Sequence, residues 1–357
     1  MFNFNAGPAT LPAEVKERAR QKGFDPSLSV MEMSHRSPEY EAIHFGTKDK
    51  IRQVLNLPED FDILFLQGGA SLQFAMLPMN FLTPGKRAGY VITGSWSEKA
   101  YEEASRIGDT YIYASGASEQ YRTIPRIHSW EPEENTAYLH ITSNNTIYGT
   151  QWYTLPESCH KVPVCADMSS DLFSRPVDWS KIDIAYAGAQ KNAGPAGVTI
   201  VIIKKDWLED AEQDIPKILS YQTHQKKDSL YNTPPTFSIY MTGLMMDWIQ
   251  AQGGVDQLYK QNAEKASRIY SLMDHSQHFY QPHADKLSRS MMNVTFRLPS
   301  VELENLFLKH AAEEEMIGLK GHRSIGGCRV SLYNAVPPKA VDHLQDFMLR
   351  FMKKHSC

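Results

Sequence analysis

The feature that most constrains this chain is a lysine set between two apolar segments. Ile182-Asp183-Ile184-Ala185-Tyr186 reads as a buried strand, and Val198 to Ile203 reads as a second. Between them runs Ala187-Gly188-Ala189-Gln190-Lys191-Asn192-Ala193-Gly194-Pro195-Ala196-Gly197, where small residues surround one cation. A solvated surface lysine is a poor fit to that setting, since charged side chains seldom sit among apolar strands without a purpose. Small neighbours clear space for something planar. Desolvation in a mostly apolar pocket lowers a lysine's pKa, which leaves its amine free to form a Schiff base.

A partner for Lys191 lies upstream. Val162-Pro163-Val164-Cys165-Ala166-Asp167 reads as a buried strand that ends on an aspartate. Alone, Asp167 would be a strand-end cap or a turn residue. Lys191 follows it by 24 residues, room for one strand, a short excursion and the next strand. Both can therefore sit at one edge of one sheet. Pyridoxal phosphate needs these two groups, a lysine to hold its aldehyde carbon and a carboxylate to keep its ring nitrogen protonated. A third feature suits its phosphate: Asp62 to Leu66 reads as a strand, Gln67-Gly68-Gly69-Ala70-Ser71 as a turn, and Leu72 to Met76 opens a helix. Backbone N–H groups at such a helix start can hold an anion. The chain has no G-x-G-x-x-G and no G-x-x-x-x-G-K-[ST], which disfavours a Rossmann oxidoreductase and a P-loop enzyme.

The rest of the chain bounds the answer. At 357 residues it exceeds one ordinary core, so two domains are expected. A 42% hydrophobic content and a net charge of −4 describe a soluble globular protein, not a nucleic-acid binder. No apolar run reaches about 18 residues, so no membrane span is expected. Met1-Phe2-Asn3-Phe4-Asn5 has no basic or apolar leader pattern and is not read as a signal peptide. The four cysteines, Cys159, Cys165, Cys328 and Cys357, show no CxxC and no metal-site spacing, and fit reduced thiols in a cytoplasmic protein. Strands over Arg87–Gly94 and Thr136–Ser143 alternate with a helix over Ser97–Ile107, the pattern of a mostly parallel α/β sheet. Helical windows follow at Ile239–Ala251 and Val255–Met273. After them come a strand at Met291–Phe296, a helix at Leu303–Met316, a strand at Arg329–Tyr333 and a helix at Ala340–Lys353, which read as a smaller α+β domain.

Taken together these residues resemble the phosphoserine aminotransferase family of class V aminotransferases, within the aspartate aminotransferase fold. The resemblance runs through Asn5-Ala6-Gly7-Pro8-Ala9, Ser34-His35-Arg36-Ser37, Gly68 to Phe74, Asp167-Met168-Ser169-Ser170, Ala187 to Asn192, Tyr231 to Phe237 and Gly321 to Arg329. One departure is visible. The family often has Gly-Gly-Gly-Arg or Gly-Gly-Gly-Cys where this chain has Gly-Gly-Ala-Ser at 68–71; backbone contacts should preserve the phosphate cup. The resemblance implies a type I pyridoxal-phosphate-dependent transferase fold. A large domain at 15–258 would carry a mostly parallel seven-stranded sheet, and a small α+β domain would comprise 1–14 and 259–357. It implies Lys191 and Asp167 as catalytic residues. Ala70, Ser71, Trp96, Thr146, Gln190, Asn232 and Thr233 would join them around pyridoxal 5'-phosphate, with Trp96 stacked on the ring.

His35, Arg36, His322, Arg323 and Arg329 lie in Ser/Gly-rich loops, and arginine forks match carboxylates and phosphates. By resemblance they bind substrate, and His322, Arg323, Asn232 and Thr233 reach in from the partner of a homodimer with shared sites. The implied reaction is reversible transamination between L-glutamate and 3-phosphohydroxypyruvate, giving O-phosphoserine and 2-oxoglutarate in serine biosynthesis. A related step of pyridoxine synthesis stays open. Alternatives within the fold are a cysteine desulfurase, for which Cys328 is the candidate nucleophile, and an alanine–glyoxylate type aminotransferase. A non-catalytic protein on the same scaffold is disfavoured because Lys191, Asp167 and the arginines are all present.

Overall fold

Seven strands form the central sheet of the protein. They were described in a computed structural model that covers every residue except Phe24, Pro26, His128, Cys159, His160, Lys161 and Cys357, and the side chains of Lys22, Glu157 and Ser158. Two of the four cysteines, Cys159 and Cys357, thus lie outside the described residues. In chain order the strands are β1 (Phe61–Leu66), β2 (Arg87–Ile92), β3 (Asp109–Ser115), β4 (Thr136–Thr142), β5 (Val164–Asp167), β6 (Ile184–Gly188) and β7 (Thr199–Lys204). Their spatial order is β1-β7-β6-β5-β4-β2-β3, with β7 antiparallel to both neighbours and every other pairing parallel. This is the expected mostly parallel seven-stranded sheet. The central strands β4 to β7 are buried along almost their whole length and mostly apolar, as strands covered on both faces must be. Successive side chains alternate faces: Ile63 and Phe65 enter one core, Leu64 and Leu66 the other.

The topology gathers the strand ends that matter. β4, β5 and β6 are parallel neighbours, and β1, across the antiparallel β7, runs the same way. Their carboxyl ends therefore share one edge of the sheet, where ligands of open α/β folds sit. Helix α1 (Gly69–Phe81) follows β1, and helix α2 (Ser95–Ser105) follows β2. Gly68 begins α1 with φ at +83°, and a Cβ there would lie 2.5 Å from Leu72 Cβ. Only glycine turns the chain so tightly between strand and helix.

A separate apolar core gathers the C-terminal third. It holds the antiparallel sheet β8 (Gln281–Pro282), β9 (Asn293–Arg297) and β10 (Cys328–Ser331), covered by the helices Val301–Glu313 and Pro338–His355. Phe296, Phe307, Phe347 and Phe351 interlock there at ring separations of 5.0–5.9 Å. The N-terminal pair Phe2–Asn3 lies parallel to Met316–Ile317, and Phe4 is fully buried in this second core. Helix α3 (Gly254–Asp274) touches both cores, Leu258 in the first and Ala266, Ile269 and Met273 in the second. The expected domain boundary at 258/259 falls within this helix. No helix among the described residues is long and apolar enough to cross a membrane.

Candidate active site

At the carboxyl edge of the main sheet lies a cavity of about 340 Å³. Its lining includes Gly68, Gly69, Ala70 and Ser71 from the β1–α1 turn, Trp96 from α2, Thr146, Asp167, Gln190, Lys191, His322 and Arg329. A larger groove of about 1110 Å³ sits at the opposite, amino edge, lined by residues such as Lys86, Asp183 and Trp207. None of the candidate site residues lines it, so the smaller cavity is where the chemistry can occur.

Asp167 ends β5 and pairs in register with Tyr186 on β6; Lys191 stands three residues beyond the end of β6. Adjacent parallel strands thus deliver both residues to one edge, as their 24-residue separation predicts. Asp167 is buried, and its Oδ1 accepts hydrogen bonds from the Ser169 backbone N–H (3.0 Å) and hydroxyl (2.6 Å). Its second oxygen takes no hydrogen bond among the described residues, although the side chain borders the cavity. Burial raises the carboxyl pKa, and the Lys191 charge works against that rise. Burial lowers the Lys191 pKa; Asp167 and then Asp171 oppose the fall, while Arg329 adds to it. Each group is thus pushed towards its neutral form by desolvation and towards its charged form by the other.

The remaining walls are built by neighbouring strand ends. Trp96 Nε1 donates to Thr146 Oγ1 at 3.2 Å, which fixes the indole plane, and Lys191 Nζ lies 5.8 Å from the ring centroid. Gly69 N–H is taken by Thr199 Oγ1 at 2.8 Å and Leu72 N–H by Gly68 O at 3.3 Å. The N–H groups of Ala70 and Ser71 have no hydrogen-bond partner among the described residues, and both residues line the cavity. Two unused donors at the start of a 13-residue helix make a ready anion cradle. The departure at 70–71 leaves those donors intact. Arg329, on β10, donates through Nη1 to Thr146 O at 3.1 Å, while its buried Nε has no hydrogen-bond partner among the described residues. Burial lowers its pKa. Gln190 O accepts from Ala9 N–H at 2.8 Å, drawing the N-terminal segment over the site; a Cβ on Gly7 would lie 3.4 Å from Lys191 Cγ.

Other expected residues stand elsewhere in the single chain. His322 and Arg323 were expected to serve a partner's site, yet His322 lines its own chain's cavity. The cause is a tight hairpin: Gly321 N–H reaches Gly327 O at 2.9 Å, and Ile325 and Gly326 N–H both reach His322 O. That turn holds His322 close to Arg329, while Arg323, one residue further out, is exposed. His35 and Arg36, in the loop before helix Pro38–Val54, do not line the cavity. Nor do Asn232 and Thr233, which bond Gln67 on the outer side of the β1–α1 turn.

Several residues were not foreseen. Ser169 orients Asp167. Asp171 is fully buried, accepts from Ser143 Oγ and Gln151 Nε2, and pairs with Arg175 at 3.4 Å. Asn192 anchors the lysine loop by donating to Ser170 O (3.2 Å) and accepting from Asn334 N–H (3.1 Å) across the two cores. Cys328 belongs to the second core and does not line the cavity; burial raises its thiol pKa. A mobile, thiolate-forming nucleophile has the opposite properties.

Comparison with known proteins places this architecture. The family model for class V aminotransferases matches residues 1–344, so the chain belongs to the class V aminotransferases. Within that class, its relatives are phosphoserine aminotransferases. The one from Geobacillus kaustophilus is 53% identical over 356 residues, covering 99% of this chain and 98% of the relative, and the one from Bacillus subtilis has the same identity and coverage. The solved phosphoserine aminotransferase from Bacillus circulans subsp. alkalophilus superposes with a TM-score of 0.97 at 48% identity, covering 99% of this chain and 98% of that one. A pyridoxal-phosphate-bound phosphoserine aminotransferase from Trichomonas vaginalis superposes with a TM-score of 0.91 at 35% identity, covering 98% of this chain and 99% of that one.

Proposed function

We propose that the protein is a phosphoserine aminotransferase that works with pyridoxal 5'-phosphate and exchanges amino groups between L-glutamate and 3-phosphohydroxypyruvate. The observation that carries this reading is the convergence of Lys191, Asp167, Trp96 and the unused Ala70 and Ser71 N–H groups on one cavity. These residues fit the cofactor piece by piece. Ala70 and Ser71 would hold its phosphate, the free oxygen of Asp167 its ring nitrogen, Trp96 one face of its ring, Thr146 and Gln190 its rim, and Lys191 its aldehyde carbon. When bound, the cofactor supplies an electron sink for the bond broken at the substrate's α-carbon.

The chain's own groups do the rest. Desolvation favours an unprotonated Lys191 Nζ, which can accept the α-proton and return it as a general base and acid. Asp167, fixed by Ser169 through one carboxyl oxygen, leaves the other for the cavity it borders, where a ring-nitrogen proton would favour its ionised form. Arg329, whose buried Nε has no partner among the described residues, would take the α-carboxylate of either substrate. His322 beside it, with His35, Arg36 and Arg323, would take the distal carboxylate of glutamate or the phosphate of phosphoserine.

His35, Arg36, Arg323, Asn232 and Thr233 lie off the cavity of their own chain, and we assign them to the site of a second copy. A homodimer with shared sites accounts for their placement, and exposed apolar Leu28, Met31, Phe45 and Tyr231 near these loops suit such an interface. Buried, unpaired Cys165 and Cys328 fit a reducing cytoplasm. The reading is tested by borohydride reduction of the cofactor-loaded protein followed by peptide mapping. A reduced adduct on Lys191 that glutamate treatment prevents is the expected result; an adduct on another lysine, or none, would overturn the assignment.

A further inference from the structure

Around His322 the structure assembles more positive charge than its own carboxylates answer. Desolvation lowers the His322 pKa, and Arg329, Arg323 and Lys99 each lower it further, with no carboxylate acting against them. The imidazole instead engages Ser324, its Nδ1 lying 2.7 Å from that hydroxyl oxygen. Of these cations, Lys99 is absent from every motif that pointed to the site. It stands on α2, one turn beyond Trp96, and its Nζ lies 4.5 Å from the Trp96 ring centroid. It forms no ion pair among the described residues, although Glu98, Glu102 and Glu103 are on the same helix. Glu98 is taken by the Tyr121 hydroxyl, and Glu103 faces Arg106 at 3.9 Å. Lys99 does not itself line the cavity, but Trp96 and His322 both do, so its ammonium stands over the ring of one wall residue and acts electrostatically on another. An ammonium held over an aromatic face, with no ion-pair partner among the described residues, is placed to receive an incoming anion.

We infer that Lys99 is a specificity-determining residue that adds a further cation to the group gripping the distal end of the substrate, favouring a doubly charged phosphate over a singly charged carboxylate. The inference rests on the aminotransferase reading for its substrates but not for its charge geometry. A point ammonium gains more from a dianion than from a monoanion at the same distance, since the Coulomb term scales with charge. Glutamate and phosphoserine both use this site, so the extra cation sets the ratio between them.

The test compares wild type, Lys99→Gln and Lys99→Arg as cofactor-loaded enzymes. For each, kcat/KM is measured with phosphoserine and with glutamate, and the affinity for inorganic phosphate is measured by calorimetry. Lys99→Gln should lower kcat/KM for phosphoserine roughly fivefold, at the upper end of a partly exposed charge pair, and at least about threefold more than for glutamate. Phosphate affinity should weaken in parallel, Lys99→Arg should recover most of both losses, and the difference should shrink as salt rises from about 20 to about 200 mM. Equal losses for the two substrates, unchanged phosphate affinity, or a loss that arginine does not recover would overturn the role of Lys99. A wild type that binds phosphate through Lys99 but does not transaminate phosphoserine would instead overturn the functional reading and leave the Lys99 site standing.

Discussion

At the scale of single residues, burial and charge pull Lys191 and Asp167 in opposite directions, and each depends on the other to hold its charge. Removing Asp167 takes away the counter-charge of Lys191 and the anion aimed into the cavity together. Asp167→Ala should therefore lower kcat by about a thousandfold or more, the scale of a lost charge-assisted hydrogen bond at a reacting centre. Steady-state turnover within about tenfold of wild type, roughly 1.4 kcal/mol, would exclude the ring-nitrogen role. Lys191 and Asp167 were legible in the sequence because their spacing and small or apolar neighbours carry the signal. Ser169 and Asp171 were not. Ser169 acts through a local bond two residues back, which any strand-end serine could make. Asp171 acts through its burial against Ser143, Gln151 and Arg175, and no motif announces that packing.

At the scale of elements, two devices invite measurement. Gly68 lets α1 start with Ala70 and Ser71 N–H groups free. Gly68→Ala puts a Cβ within 2.5 Å of Leu72 at a positive φ, so the helix start must shift. Cofactor affinity, followed by absorbance on dilution, should weaken by tenfold or more, on the order of the 1–3 kcal/mol that such backbone strain costs. Unchanged affinity would mean the cradle does not depend on this turn. The second device is Lys265 on α3, buried with no carboxylate partner among the described residues and donating to Tyr333 O at 2.8 Å and Val336 O at 3.3 Å. Burial lowers its pKa to about 7 from the ordinary 10.5. The unfolded chain then binds more protons than the folded one between those values, so this group makes stability rise with pH from about 7 to about 10.5, and its full cost is present below pH 7. From pH 7 to pH 9 the gain is about 2 kcal/mol. Lys265→Met should remove that part of the slope, so the variant's unfolding free energy relative to wild type should fall between pH 7 and pH 9; parallel curves would refute a depressed pKa.

Elements were more legible where both faces are buried. The continuous apolar runs of β1, β5, β6 and β7 gave their positions to within a few residues. Strand β3 was not foreseen, because it is an edge strand with exposed Asp109, Ile112 and Ser115 and lacks a continuous apolar run. The tight 321–327 hairpin was equally silent. Its hydrogen bonds are between backbone groups, and they decide which cavity His322 faces.

At the scale of the whole molecule, the proposed active site is a property of two chains. Arg323, Asn232 and Thr233 stand off their own cavity, so a variant that loses Arg323 and Asn232 should be rescued by a chain that lacks only Lys191. Mixing Lys191→Ala with Arg323→Ala/Asn232→Ala under subunit exchange should restore up to about a quarter of wild-type activity, one intact site in each of the half of dimers that are mixed. No recovery, with mixed dimers shown by native mass spectrometry, would place these residues in their own chain's site.

On the proposed reading, this cavity handles a phosphorylated amino acid. That reading is tested most directly by the initial rate of amino transfer to 2-oxoglutarate from phosphoserine, set beside that from plain serine. With several cations committed to the phosphate, phosphoserine should lead in kcat/KM by about a hundredfold or more, the lower part of the 2–5 kcal/mol expected for charged contacts in a desolvated site. Comparable values for the two amino acids would contradict the account.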